Sequence, residues 1–110
     1  MTISLSPPVS TYFEASNAHD ADAVAALFVE GPEARVHDER QDHRGREAIR
    51  GWAEETFRQY QMQQKPRAAR EEGGATVVTT GVSGTFPGSP IELDFRFVLE
   101  GEQIRELRIG

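Results

Sequence analysis

The chain has 110 residues, of which 37% are hydrophobic and 27% are charged, and this length predicts a single domain over residues 1–110, because two smaller domains would bury too little apolar surface to be stable. It contains no cysteine, which excludes disulfides, thiolate metal sites and a cysteine nucleophile. Its net charge of −6 argues against nucleic acid as a partner, because an acidic surface repels phosphate groups.

The sequence also argues against export and membrane insertion. Residues 1–10 show neither a basic segment nor a long apolar run, so we expect no signal peptide. No stretch approaches the roughly 20 consecutive apolar residues that a membrane-spanning helix needs. We therefore expect a cytoplasmic protein without a membrane partner.

Apolar residues at helical spacing predict three helices in the first half of the chain. The first begins with Pro7, whose missing N–H costs nothing at that position, and it carries Tyr12 on its apolar face. Asp20 is a good N-cap for a second, short helix. The third helix is predicted over residues 46–60, where apolar side chains form one broad face.

The rest of the chain shows the alternating pattern of β-strands. A short extended piece before the third helix ends in Asp38, where a polar turn follows. After that helix comes a polar segment whose Pro66 fits only an edge strand or a bulge. We predict extended structure at residues 34–38, 61–70, 75–86, 91–99 and 104–109.

Helices that precede a meander of antiparallel strands indicate an α+β fold, with the helices packed on one face of a single sheet. Gly81 and Gly84 permit one of the long strands to bend. A strongly curved sheet leaves a conical cavity between itself and the helices.

Five segments carry a resemblance to a known superfamily. In chain order they are YFEASNAHD at 12–20, VAALF at 24–28, ARVHD at 34–38, RGREAIR at 44–50 and FRF at 95–97. Together they resemble the nuclear-transport-factor-2-like superfamily, and within it the SnoaL-like group, which includes small polyketide cyclases, and ketosteroid isomerase. The resemblance implies a cystatin-like cone, in which three N-terminal helices pack in a curved antiparallel sheet around an apolar pocket. It also implies a homodimer that forms through the outer face of the sheet.

Asp38 is the leading candidate for a catalytic residue. Strand alternation places it on the same side as Ala34 and Val36, toward the interior of the cone. Apolar surroundings raise the pKa of a carboxyl group toward the range that suits a general base. The resemblance implies the same role, since ketosteroid isomerase uses an aspartate at the matching place to move a proton between carbons. The alternative is a half-solvated side chain at a strand end that caps the following turn.

Tyr12 resembles the tyrosine of ketosteroid isomerase that donates a hydrogen bond to the developing oxyanion. The alternative is a core tyrosine whose hydroxyl is bonded to a backbone carbonyl or to water. That isomerase also uses a protonated aspartate at the position where this chain has Leu93. The neighbouring Asp94 points to the other face of its strand, so the resemblance leaves one base and one oxyanion donor.

Large apolar side chains are expected to form the wall of the pocket and to bind a small apolar or aromatic ligand. The predicted ligand-binding residues are Trp52, Phe57, Leu93, Phe95 and Phe97.

Other polar residues allow further interpretations. Asp94 and Arg96 loosely resemble part of the Asp-Arg-Asp set of limonene epoxide hydrolase, which shares the superfamily fold, but alternation favours an ion pair on the outer face. Four metal-ligating side chains surround one turn, but the first two point to opposite sides of their strand, so we predict a solvated turn and no metal site. These four residues are His37, Asp38, Asp42 and His43.

The sequence contains no cofactor fingerprint. Our leading hypothesis is a cofactor-free isomerase or cyclase that performs acid/base chemistry on an apolar carbonyl compound. The alternative is a non-catalytic ligand-binding or dimerisation domain of the same fold. A third hypothesis, hydrolysis of an epoxide-like substrate, needs two carboxylates and an arginine inside the cone.

Overall fold

Three helices precede the long strands, as predicted, in a computed structural model that describes residues 5–110. Residues 1–4 of the predicted domain lie outside the described residues. The Asp20 side chain accepts a hydrogen bond from the Ala23 amide at 3.0 Å, which confirms its role as the N-cap of the second helix. Within residues 5–110, no helix has the length and apolarity needed to cross a membrane. The helices are α1 (Pro7–Asn17), α2 (Ala21–Ala26) and α3 (Arg46–Tyr60).

One six-stranded sheet contains every strand of the described residues, in the order β2-β1-β6-β5-β4-β3. A bulge between Pro66 and Ala68 interrupts the edge strand β3, as the proline predicts. The strands are β1 (Arg35–Asp38), β2 (Gln41–Arg44), β3 (Gln63–Glu72), β4 (Ala75–Ser83), β5 (Ile91–Glu100) and β6 (Gln103–Ile109).

The α+β cone is confirmed, but the prediction of a purely antiparallel sheet is wrong at one pairing. β1 runs parallel to β6, with Val36 opposite Leu107, whereas the other pairings are antiparallel. Short hairpins force consecutive strands to be antiparallel. No hairpin joins β1 to β6, because α3 and four strands separate them in the chain.

Several strand boundaries also differ from the prediction, most clearly at the end of β4 and at the start of β2. β4 ends at Ser83 rather than at residue 86, and residues 84–90 form a loop that contains two prolines and two glycines. The polar sequence predicts a turn over residues 39–42, but the turn is shorter in the structure, because β2 already begins at Gln41. A tight turn therefore follows Asp38 directly.

The core lies between the concave face of the sheet and the three helices. An aromatic cluster occupies its centre, where the Tyr12 ring lies 5.3 Å from both Phe13 and Phe97, centroid to centroid. Phe95 lies 5.4 Å from Phe13 and completes the cluster. All four side chains are buried, and edge-on contacts of this kind contribute stability beyond the burial of their area.

The end of α1 is joined to the free edge of β3. The Asn17 side chain accepts a hydrogen bond from the Gln64 amide at 2.7 Å and donates one to the Gln64 carbonyl at 2.8 Å. Beside it, His19 Nε2 donates to the Met62 carbonyl at 2.7 Å, and its ring stacks on Phe57 at 5.2 Å. These contacts satisfy edge groups that would otherwise be unpaired, and they close the cone on this side.

Asn17→Ala is expected to lower the free energy of unfolding by about 1–3 kcal/mol, because it leaves both half-buried backbone groups of Gln64 without a partner. Urea denaturation followed by circular dichroism measures this change. Glu14→Ala, on the exposed face of the same helix, is the matched control and should alter stability by less than about 0.5 kcal/mol. Equal stabilities of the two variants would contradict the proposed role of Asn17.

Candidate functional site

A cavity of about 380 Å³ lies between the concave face of the sheet, α1, α3 and the loop at residues 84–90. Its volume falls within the range of small-molecule sites in proteins. Its lining is largely aromatic and aliphatic and, among residues 5–110, includes no lysine, arginine or histidine. The aromatic residues among those that line it are Tyr12, Trp52, Phe57, Tyr60, Phe86 and Phe95.

Four of the five predicted wall residues line this cavity, namely Trp52, Phe57, Leu93 and Phe95. Phe97 does not line it, and its predicted place in the wall is wrong. It shares a strand face with Phe95 but lies two residues further along β5, where it is fully buried against Tyr12. Alternation predicts which face a side chain is on, but it does not predict how deep in the cone it lies.

Asp38 lies at the end of β1, is half-buried and lines the cavity, as its strand parity predicts. The Trp52 indole N–H donates a hydrogen bond to its Oδ2 at 3.1 Å. Burial raises the pKa of Asp38 above its ordinary value, and the charge of Glu39 adds to this, whereas the hydrogen bonds from Trp52 and from the Glu39 backbone lower it. The carboxyl group therefore both contacts the following turn and faces the cavity.

The turn after Asp38 carries backbone strain. Glu39 and Arg40 have φ angles of 51° and 67°, in a region of backbone conformation that residues other than glycine rarely adopt. This conformation brings a second carboxylate to the cavity mouth, where the Tyr60 hydroxyl donates a hydrogen bond to Glu39 Oε1 at 3.2 Å. Positive φ angles at both central residues are what a two-residue hairpin turn of this type requires.

Tyr12 lies on the buried face of α1 and also lines the cavity. Its pKa is well above the usual tyrosine range, because burial and the negative charge of Asp38 both disfavour the phenolate, while the Ser16 side chain offsets this only in part. The Tyr12 hydroxyl thus keeps its proton near neutral pH and remains a hydrogen-bond donor.

The residues that surround the β1–β2 turn are divided between the two faces of the sheet. His37 and Asp42 pair through a contact of 2.6 Å between Nδ1 and Oδ1. His43 instead packs against the Trp52 ring, at 6.1 Å between centroids. Together with Asp38, these side chains do not form a metal-ligand cluster among residues 5–110.

Asp94 and Arg96 lie outside the cavity, in agreement with their strand parity. Asp94 accepts a hydrogen bond from Thr79 at 3.0 Å, and Arg96 lies 3.3 Å from Glu72. The epoxide hydrolase hypothesis needs an arginine inside the cone, and no arginine lines the cavity. Leu93 does line it, so the wall carries an apolar side chain at the position where the resemblance to ketosteroid isomerase implies an acid.

Three of the cavity residues that the sequence analysis missed carry polar groups that bear on function, namely Glu39, Tyr60 and Gln64. Glu39 and Tyr60 meet only because of the turn after Asp38, and no glycine in the sequence indicates the positive φ angles of this turn. Gln64 is 3% exposed, although most of its strand is exposed. The polar composition of that strand gives no alternation from which its inward-facing residues could be read.

Comparisons with known proteins agree with this architecture. The family model of the SnoaL-like domain matches residues 9–107. A solved structure of a provisionally assigned polyketide cyclase from Sinorhizobium meliloti is 33% identical, with a TM-score of 0.88 over 96% of this chain and 95% of that one. A search of curated proteins finds no match.

Two less similar structures share the fold. A protein with a ketosteroid isomerase-like fold from Catenulispora acidiphila, solved in complex with trimethylamine, is 19% identical, with a TM-score of 0.80 over 96% of this chain and 86% of that one. A cystatin-fold protein from Novosphingobium aromaticivorans is also 19% identical, with a TM-score of 0.76 over 97% and 99% of the two chains. These structures confirm the cystatin-like cone.

The fluorescence of Trp52, the one tryptophan of the chain, should report the titration of Asp38, because its indole N–H is bonded to that carboxylate. We expect an emission change with a midpoint above pH 4, the ordinary range of aspartate. Asp38→Asn should abolish this transition, whereas Asp42→Asn, exposed on the other face of the sheet, should retain it. An unchanged transition in Asp38→Asn would contradict the assignment.

The same shift has a consequence for stability. Because the folded-state pKa of Asp38 is raised, the folded protein binds more protons than the unfolded chain between the two pKa values, and stability falls as the pH rises through that window. Asp38→Asn should therefore be more stable than the native protein at neutral pH, as measured by urea denaturation, and this advantage should disappear below pH 4.

Proposed function

The chain belongs to the SnoaL-like domain family, and we propose that it is a cofactor-free enzyme that isomerises or cyclises an apolar carbonyl compound by acid/base catalysis. The observation that carries this proposal is the combination of a half-buried Asp38 carboxyl group of raised pKa with the buried Tyr12 hydroxyl in one largely apolar cavity. A base and an oxyanion donor are the two groups that such a reaction requires.

In the proposed reaction, the Asp38 carboxylate removes a proton from the carbon next to the substrate carbonyl. The electron pair of the broken C–H bond moves onto the carbonyl oxygen, and the Tyr12 hydroxyl donates a hydrogen bond to the resulting enolate. In an isomerisation, Asp38 returns the proton to a different carbon. In a cyclisation, the enolate carbon bonds to a second carbonyl carbon, and the proton passes to the new alkoxide. Neither route consumes an oxidant or a reductant.

The surroundings of Asp38 suit a general base. A raised pKa strengthens the carboxylate as a base, and its efficiency is greatest when the pKa approaches the operating pH. The hydrogen bond from Trp52 to Oδ2 fixes the orientation of the carboxylate beside the cavity.

Leu93 restricts the range of substrates. With a leucine at this position, Tyr12 is the one proposed donor to the oxyanion, and loss of one such donor typically costs roughly 10²–10³ in rate. The substrate must compensate with a more acidic C–H bond. We therefore favour a β-dicarbonyl or similarly activated compound, a preference consistent with the likeness to a provisionally assigned polyketide cyclase.

The alternative function, a non-catalytic ligand-binding domain, uses the same cavity without proton transfer. It predicts binding of apolar carbonyl compounds with no difference in reactivity between the native protein and Asp38→Asn. Location in the cytoplasm stays a prediction from the sequence.

Hydrogen–deuterium exchange at carbon tests the catalytic proposal without knowledge of the natural substrate. In heavy water, the native protein should accelerate exchange of the α-hydrogens of benzoylacetone and propiophenone, followed by proton NMR. Asp38→Asn should lower the rate by roughly 10²–10⁴, and Tyr12→Phe by roughly 10²–10³. The control Asp42→Asn, outside the cavity, should retain the native rate. Equal rates in the native protein and Asp38→Asn would remove Asp38 from the mechanism.

We also propose that the protein forms a homodimer through the outer face of the sheet. This face carries charges of both signs, and Val77 lies among them, 3% exposed, with Arg70 and Arg96 opposite it on the two neighbouring strands. In a contact between identical faces, acidic groups of one copy can pair with arginines of the other. Arg108, exposed on β6, is suited to such a pairing.

Sedimentation velocity at micromolar concentration should show a species of twice the 12.2 kDa chain mass. Arg108→Glu should shift the population toward the monomer, because the reversed charge repels acidic groups of both copies at once. Glu14→Gln, on an exposed face of α1, should leave the dimer intact. A single 12.2 kDa species in the native protein would contradict the proposal.

A further inference from the structure

One polar atom in the cavity wall has no partner in the chain. Gln64 is 3% exposed and lines the cavity, yet its Oε1 is buried and accepts no hydrogen bond within residues 5–110. Buried side-chain acceptors are nearly always paired, because leaving one unpaired costs much of its desolvation energy. An unpaired buried acceptor in a native cavity wall is therefore an indication that a bound ligand provides its partner.

The position of Gln64 is fixed by its backbone. Asn17 bonds to both its N–H and its C=O, and β4 pairs with it on the other side, opposite Val82. The side chain is thus held over the cavity, and it cannot leave without loss of these bonds. The flanking residues on β3, Gln63 and Lys65, are exposed, so the inward position of an amide is specific to this residue.

Gln64 and Asp38 lie on opposite sides of the cavity. Asp38 is on β1 and Gln64 on β3, and the sheet order places β6, β5 and β4 between these strands. Because the sheet curves around the cavity, both side chains line the same space. A single ligand can therefore contact both of them.

We infer that Gln64 is a specificity-determining residue whose amide oxygen accepts a hydrogen bond from the ligand, so that the ligand carries a hydroxyl or N–H group at the end away from its reactive carbonyl. The position of the carbonyl rests on the proposed function, whereas the donor requirement rests on Gln64 itself. A hydroxylated or amino-substituted aromatic ketone meets both requirements. In such a complex, the orphaned acceptor gains the partner that the chain does not provide.

Three matched enones test the inference: benzylideneacetone, its para-hydroxy derivative and its para-methoxy derivative. They share one apolar skeleton and differ at the far end of the molecule. Benzylideneacetone has no polar group there, the hydroxy derivative has a hydrogen-bond donor, and the methoxy derivative has an acceptor alone. Dissociation constants are measured by chemical-shift titration of the native protein. The hydroxy compound should bind roughly 10-fold more tightly than the other two, the effect of one neutral hydrogen bond.

Gln64→Met, which keeps the side-chain length and removes the amide, should abolish this preference without weakening the binding of benzylideneacetone. Its thermal stability should equal or exceed that of the native protein, because an unpaired buried polar group is lost. A purely structural role for the amide predicts the opposite, a less stable protein that binds all three compounds equally weakly. If Gln64→Met does not fold, Gln64→Leu provides the same comparison.

Three outcomes would overturn the inference. The first is that the native protein prefers the methoxy compound, which would make the amide a donor. The second is that the Gln64 variants still prefer the hydroxy compound. The third is that none of the three compounds binds the native protein. Because these are equilibrium measurements, they are independent of deuterium exchange. If the native protein does not accelerate deuterium exchange but still binds the hydroxy compound most tightly, the catalytic proposal is contradicted and the role of Gln64 stands.

Discussion

The placement of the Asp38 carboxylate against the Trp52 indole is the constraint on which the proposed chemistry depends. It requires β1 to pair with β6 in one register, with Val36 opposite Leu107, so that Val36 enters the core and Asp38 follows it on the same face. A shift by one residue would turn Asp38 to the outer face and bring His37 inward. The parallel β1–β6 pairing, which no hairpin imposes, is therefore the feature of the topology that positions the candidate base.

Three features that cost stability lie around the cavity. Asp38 is held where its charged form is disfavoured, Glu39 has a strained backbone, and Gln64 leaves a buried acceptor unpaired. The aromatic cluster beneath the cavity and the hydrogen bonds between Asn17 and β3 stabilise the fold nearby. This separation is the pattern of a binding site, since residues that violate the rules of stable packing are expected where function requires them.

The sequence was most informative where local patterns determine the structure. The bounds of α3, the N-cap at Asp20 and the inward direction of Asp38 all follow from spacing within a few residues. The depth of Phe97 and the direction of β1 relative to β6 depend on how distant segments meet, and a periodic pattern holds no information about that. Gln64 is the clearest case, because its burial is determined by Asn17, which lies 47 residues away in the chain.

The shared fold leaves the reaction open, because function depends on the side chains of the cavity rather than on its shape. Two positions of the cavity bear on the proposed substrate. Leu93 stands where the resemblance to ketosteroid isomerase implies an acid, so the proposed reaction depends on the acidity of the substrate. At the far side, Gln64 adds a demand for a hydrogen-bond donor. A substrate that satisfies both requirements has an acidic C–H bond at one end and a hydrogen-bond donor at the other. The shape of the cavity also accepts a wholly apolar compound. Such a compound would bind less tightly, because it leaves the amide oxygen of Gln64 unpaired.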